Sequence, residues 1–300
     1  MFKPSHPLYA VAAICAATGL VVSGCASNKE KAGGPTKTAT PTVSANASLS
    51  TLVPAKMKSA GKLIVGINVP YTPNEYKNAS GKIVGFDVDL FNATAKVLGL
   101  STDYREADFS KIIPAIAAGT YDVGVSSFTD TKEREKTVDF VNYFTAGILW
   151  AAPTGKTVDP NNACGLTVAV QSTTIEQTDE LPAKDKACVK AGKPKIKVLA
   201  YENQDDATNA VVLGKADAMT ADSPVTAYAI KQSVGKLHQA GQIFEAAPYG
   251  WPIAKGSSLG TALQKALQTL MGNGTYDQIC KNWGVQSGEI KSATIDAAIS

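Results

Sequence analysis

From about residue 61 onward the sequence predicts an α/β protein. Two observations carry that reading. Short apolar runs alternate with helix-length amphipathic stretches, and two distant segments repeat one helix-to-strand pattern. IIPAIAAGTYDVGVSS (112–127) and ATNAVVLGKADAMTAD (207–222) each run helix, glycine stop, two residues, aspartate and short strand, which suggests two lobes built to one plan.

The elements follow in order. LIVGINV (63–69) reads as a buried strand. FDVDLFNATAKVLGL (86–100) puts Phe86, Leu90, Phe91, Thr94 and Leu98 on one helical stripe, stopped by Gly99. Ser110 is expected to cap the short helix SKIIPAIAAG, with Pro114 in the first turn, where it is tolerated. YDVGVSSF (121–128), LTVAV (166–170) and IKVLAY (196–201) read as further strands. Residues 258–283 are helical again, with Leu259, Leu263, Ala266, Leu267 and Leu270 at helical spacing.

The composition, 44% hydrophobic and 18% charged with a net charge of +3, is that of an ordinary globular protein. Both signs of charge are scattered and no basic block exists, so no nucleic-acid partner is expected. The N-terminus departs from this average. Lys3 precedes an uncharged stretch from Leu8 to Val22, the length of a signal-peptide core and short of the ~20 residues that span a bilayer. It ends in Val22-Ser23-Gly24-Cys25, which resembles a lipobox, so residues 1–24 are expected to be a lipoprotein signal peptide and Cys25 the lipidated anchor. Residues 25–50 contain almost no large apolar side chain and read as a flexible tether. An exported chain meets an oxidising compartment, and a Cys164–Cys188 disulfide is expected there. Cys280 shares a helix face with Tyr276, Ile279 and Trp283 and reads as a core residue. His238 is the only histidine left after signal removal, so no metal site and no cofactor is expected.

Ligands of open α/β sheets sit beyond the carboxyl ends of the strands. Those positions hold Tyr71, then Ser127 and Thr129 with Arg134 five residues on, then Thr173 and Thr174, then Asp222. An arginine fork takes a carboxylate in two charge-assisted hydrogen bonds, and hydroxyls complete its lone pairs. Asp222 can accept from an ammonium, so the set suits a zwitterion, with Tyr71 and Phe109 as aromatic walls. Each residue also has a plain structural reading. Arg134 suits an exposed first helical turn, Asp222 an N-cap, and Thr173-Thr174 a turn; Tyr71 and Phe109 suit a core.

The stretches GKIVGFDVDLFNATAKVLGL, FSKIIPAIAAGTYDVGVSSFTDTKEREKTVDF, TVAVQSTT, GKADAMTADSPVTAYAIK, APYGWPIAKGS and NGTYDQICKNWG resemble the solute-binding proteins of ABC importers, family 3, from roughly Gly61 to Gly284. The resemblance implies a two-lobed periplasmic-binding-protein-like fold with two crossover hinge strands near Asn142–Ala146 and Ala246–Gly250. Lobe 1 would comprise residues 51–145 plus 247–300 and lobe 2 residues 146–246. It also implies that Arg134, Thr129 and Ser127 bind the carboxylate of a polar amino acid with Thr174, that Asp222 accepts the α-amine, and that Tyr71 and Phe109 flank the side chain. Cys164 and Cys188 match a lobe 2 disulfide of lipoprotein members.

The chain departs from the family at three positions. Asn68 stands where members that take cationic side chains often carry Asp, which lowers the expectation of Lys or Arg as ligand. Asn74 replaces a common Phe, making the pocket floor more polar, and Asn142 replaces an Asp before the hinge. The expected function is capture of an amino acid by hinge closure and delivery to an ABC permease, by a monomer anchored outside the cytoplasm through Cys25. A ligand sensor on the same scaffold and a receptor for an opine or compatible solute are the alternatives. A dehydratase-type enzyme is disfavoured because no histidine-based triad is available.

Overall fold

The computed structural model describes residues 42–299. The expected signal peptide, the lipidation of Cys25 and most of the expected tether lie outside the described residues. The fold starts before residue 51. Val43 is buried, and the Asn46 side chain accepts from the amides of Ser48 and Leu49, capping helix α1 (Ala47–Ser50).

Helix α2 (Ala55–Ala60) leads into β1 (Lys62–Ile67), a small hairpin of β2 (Tyr76–Lys77) and β3 (Ile83–Val84), and α3 (Phe86–Val97). There follow β4 (Ser101–Glu106), α4 (Phe109–Ala117), β5 (Val123–Gly124), α5 (Lys132–Glu135) and the long β6 (Val138–Pro153). Next come β7 (Thr167–Gln171), α6 (Leu181–Lys190), β8 (Lys197–Tyr201), α7 (Gln204–Val212), β9 (Ala218–Asp222) and α8 (Ser223–Gln232). The second long strand β10 (Leu237–Ala254), α9 (Leu259–Gly272), α10 (Thr275–Trp283) and β11 (Thr294–Ile295) complete the chain.

The main sheet runs β4-β1-β5-β10-β6-β9-β7-β8, with β11 on β6. β1 is parallel to β4 and β5, and β7 is parallel to β8 and β9. Between these trios run β6 and β10, antiparallel to each other from Val138↔Ala254 to Pro153↔Leu237. The apolar clusters divide at the middle of this pair. The largest draws on residues 43–146 and 249–293, around α3, α9 and α10, whereas two smaller ones draw on residues 148–244 and cover the two faces of the second trio. The protein is therefore two-lobed, with β6 and β10 belonging to both lobes. The strands approach closely where they cross. A Cβ on Gly147 would lie 2.6 Å from Ile243 Cγ2, and one on Gly250 would lie 2.8 Å from Phe140 Cβ.

Three local expectations change. The helix read as capped by Ser110 starts at Phe109 after Asp108, because the chain is still extended at Asp108 (ψ 139°) and turns helical immediately after it. β4 carries the polar sequence STDYRE and sits at the sheet edge, where burial imposes no alternation, so apolar patterning missed it. The helical stretch 258–283 is two helices, divided at Gly274, whose φ of 79° a helix interior does not allow.

The Cys164–Cys188 disulfide is present and closes a loop with a sequence separation of 24 at the base of α6, and Cys280 is buried. Replacing both disulfide cysteines with serine is expected to remove about 3 kcal/mol of stability. Urea unfolding followed by fluorescence checks this, since Trp150 is buried in the same apolar cluster as Cys188.

Candidate ligand-binding cleft

The carboxyl ends of β1, β5, β7 and β9 converge on one small cavity. Tyr71, Phe109, Ser127, Thr129 and Arg134 line it from lobe 1, and Thr174 and Asp222 line it from lobe 2. Asn68 lines it as well. Asn74 does not: it is fully buried behind Ser127 and donates from Nδ2 to Ser127 Oγ at 2.8 Å. Thr173 is also outside this cavity, and it contributes its backbone carbonyl to Arg134. Ser126, Gln171, Ile175 and Glu176 complete the wall and were not among the expected residues. Ser126 and Gln171 were within reach of the strand-end rule, being adjacent to Ser127 and last in β7 respectively. Glu176 carried no such signal, because a Glu two residues past a turn threonine reads as an ordinary exposed first-turn residue.

Arg134 illustrates how local structure aims a side chain. Thr131 caps α5 by accepting from the Arg134 amide (3.2 Å), which fixes the turn so that the guanidinium enters the cleft and is not left in solvent. There Nη1 donates to the Thr129 carbonyl (2.8 Å) and Nη2 to the Thr173 carbonyl across the cleft (3.1 Å). The cation sits 5.6 Å from the Phe109 ring centroid and 5.7 Å from that of Phe128, and the two rings stack at 4.4 Å. Cation–π attraction and two carbonyls therefore orient the fork before any ligand arrives. Asp222 precedes α8, yet its side chain makes no capping hydrogen bond; its Oδ2 accepts from the Tyr71 hydroxyl of the other lobe at 2.6 Å. Gln171 Nε2 donates to Asn68 Oδ1 at 2.8 Å and the Asp222 amide donates to the Tyr71 hydroxyl at 3.4 Å, so four hydrogen bonds cross the cleft among the described residues.

A buried polar layer supports the floor. Ser127 has a φ of 50° and directs both its amide (2.8 Å) and hydroxyl (3.0 Å) to Asp87 Oδ2, which also accepts from Tyr143 (2.7 Å). Ser126 accepts from the Asn68 amide and donates to Glu75 Oε1 at 2.9 Å. Burial and then the charge of Asp87 push Glu75 well above the usual carboxylate range, and burial pushes Asp87 up to about 6. In the cleft, burial pushes Asp222 up to about 6 against the opposing hydrogen bond from Tyr71 and the charge of Arg134. Glu176 is pushed up to about 8, by burial first and by Asp222 second.

Opposed buried charges, an aromatic shelf and hydroxyls meet between two lobes, the arrangement of a solute-binding cleft. The sequence places the molecule more closely. Residues 63–286 match the family model of bacterial extracellular solute-binding proteins, family 3. The chain is 39% identical over 297 residues to the arginine-binding protein ArgT of Corynebacterium glutamicum, covering 98% of this chain and 97% of that one. It is 31% identical to the ABC transporter glutamine-binding protein GlnH of Bacillus subtilis, covering 76% and 83%. Among solved structures it is similar to an ancestral arginine-binding protein bound to arginine, with a TM-score of 0.69, 33% identity and coverage of 74% and 98%. The chain belongs to the family 3 extracellular solute-binding proteins.

Raised carboxyl pKa values cost stability once the groups ionise. Their contribution is complete below the unfolded value near 4 and is lost as pH rises through the folded value. For Asp222 that window runs from about 4 to about 6. Asp222→Asn should gain stability relative to the ligand-free wild type as pH rises through this window, with no further gain above it. Thermal unfolding of both proteins between pH 4 and 8 checks this.

Proposed function

We propose that this protein captures an α-amino acid between its lobes, with a cationic amino acid such as arginine as its ligand, and delivers it to an ABC permease. The observation that carries the reading is Arg134 and Asp222 facing one enclosed cavity from opposite lobes. The α-carboxylate takes the free donors of the Arg134 fork, the Thr129 hydroxyl and Thr174 from lobe 2, while Ser127, whose amide and hydroxyl are given to Asp87, lines this end of the cavity. The α-ammonium takes Asp222, which Tyr71 holds in place. Phe109 and Tyr71 cover the aliphatic part of the side chain.

Support for a cationic ligand comes from two directions. Relatives across the family are named for arginine, including one that matches this chain along almost its full length. The cleft itself presents two carboxyl groups against one guanidinium. Asn68 does not oppose the reading, since its side chain is engaged by the Ala107 carbonyl and by Gln171 and is not the acidic contact. Each lobe holds one end of the zwitterion, so binding favours the closed arrangement over the open one by the difference in contacts. Cys25, outside the described residues, would tether the receptor at the outer membrane surface beside its permease, and a monomer suffices for hinge closure.

The test is a thermal-shift and calorimetric screen against the common amino acids, on protein unfolded and refolded to strip any carried ligand. A ligand at ~1,000 times its Kd stabilises by about 4 kcal/mol, a shift of several degrees. Arginine is expected to give that shift. Arg134→Ala should weaken its binding by about 2–5 kcal/mol, because the ligand carboxylate loses its charged partner. Wild-type affinity in Arg134→Ala would sink the assignment of the carboxylate site.

A further inference from the structure

Glu176 is a buried carboxyl with one oxygen to spare among the described residues. It lines the cavity at 1% exposure, and its Oε1 has no hydrogen-bond partner among the described residues. It opens a wide π-helical turn, Glu176–Glu180, whose other end is engaged: Glu180 accepts from Trp150 Nε1 and the Thr220 hydroxyl at 2.7 Å each. A carboxyl with a free oxygen inside a closed cavity is stabilised by a ligand or water that satisfies it or by a proton that neutralises it.

The charges facing Glu176 decide which ligand does so. Arg134 on α5 offers one positive charge, Asp222 at the end of β9 offers one negative charge, Tyr71 after β1 is neutral, and Glu180 lies on the same turn. The α-carboxylate of an amino acid matches Arg134, and the α-ammonium matches Asp222. A neutral amino acid therefore leaves the cleft balanced with Glu176 protonated. A third, positive group on the ligand would bring one unmatched charge into a dry site, which is costly unless a further carboxyl ionises. Glu75 and Asp87 lie beneath the floor and are engaged by Ser126, Ser127 and Tyr143. Glu176 is the carboxyl that both lines the cavity and has an oxygen to spare.

We propose that Glu176 is the counter-ion that selects cationic over neutral amino acids in this cleft, giving up its proton to solvent when such a ligand enters. The inference rests on the cationic amino-acid reading above and deepens it by assigning the residue that sets the charge class. The burial that keeps Glu176 protonated in the empty cleft, up to about pH 8, makes the proton release measurable near neutrality.

The experiment compares arginine with citrulline, its neutral near-isostere, on the full chain and on Glu176→Gln by isothermal titration calorimetry at pH 7 in phosphate and in Tris. Wild type should prefer arginine and release close to one proton on binding it, seen as a heat difference between buffers, but release none with citrulline. Glu176→Gln should lose arginine affinity by roughly tenfold or more and lose the proton release, while citrulline affinity changes little. Glu176→Asp should recover part of the preference, which separates lost charge from lost folding. Equal loss of both ligands in Glu176→Gln or an unchanged preference for arginine would each overturn the inference and leave the cationic amino-acid reading standing, whereas a wild type that does not discriminate would overturn the inference and the cationic part of that reading and leave amino-acid capture. A wild type that binds no amino acid would overturn both.

Discussion

The pairing of β6 with β10 is the constraint on which the other features depend. These strands of 16 and 18 residues are hydrogen-bonded to each other along their length and carry one parallel trio of strands on each side. Because each trio has its own apolar core, neither lobe needs the other to bury its surface. The lobes meet through a polar cleft and a narrow two-stranded bridge. Register shifts cluster in β10 between Ala240 and Gly250, beside the midpoint of the bridge, where a ladder bends most readily. A closed cleft in such a molecule is held by what crosses it, and among the described residues that means four hydrogen bonds, each using a side chain as donor or acceptor.

The cleft concentrates groups that ordinary folding avoids. Asp87, Glu75, Asp222 and Glu176 are all nearly inaccessible to water, and burial is the leading cause of every raised carboxyl among them. Asp222 and Glu176 line the cavity, where a ligand bearing positive charge would supply a partner, whereas Glu75 and Asp87 find theirs beneath it in Ser126, Ser127 and Tyr143. The floor shows the price in conformation as well: Ser127 is held at a φ of 50°, unusual for a residue with a Cβ, so that its amide and hydroxyl both reach Asp87. That arrangement fixes the Ser126–Thr129 segment, which in turn presents the Thr129 carbonyl to Arg134. The site is thus preorganised from beneath by carboxyls that do not line the cavity.

Asn142 finds its explanation in the same region. Its Nδ2 donates to Asp130 Oδ2 at 2.9 Å, and its Oδ1 accepts from the Thr294 hydroxyl and the Ala297 amide at 3.2 Å each. An aspartate there would face Asp130 carboxylate to carboxylate. The amide matches both an acceptor and two donors, and so pins the C-terminal segment, with β11, onto β6 at the bridge.

The sequence by itself determined the α/β class, the order of most elements and the strand ends where ligand groups collect, because those depend on local periodicity and turn chemistry. It also placed Tyr71, Phe109, Ser127, Thr129, Arg134, Thr174 and Asp222 at positions that converge on one cavity. Only the tertiary structure decided which side each ambiguous residue takes. Arg134 and Asp222 read equally well as a solvated turn residue and a helix cap until the other lobe supplies the Thr173 carbonyl and the Tyr71 hydroxyl. Asn74 moved from pocket wall to support, and Glu176 from unremarked turn residue to cavity wall, for one reason. Local sequence encodes the backbone path over a few residues, whereas a side chain's burial and partners are set by segments far along the chain, 39 residues away for Arg134 and Thr173 and 151 for Tyr71 and Asp222, that share its space only after folding.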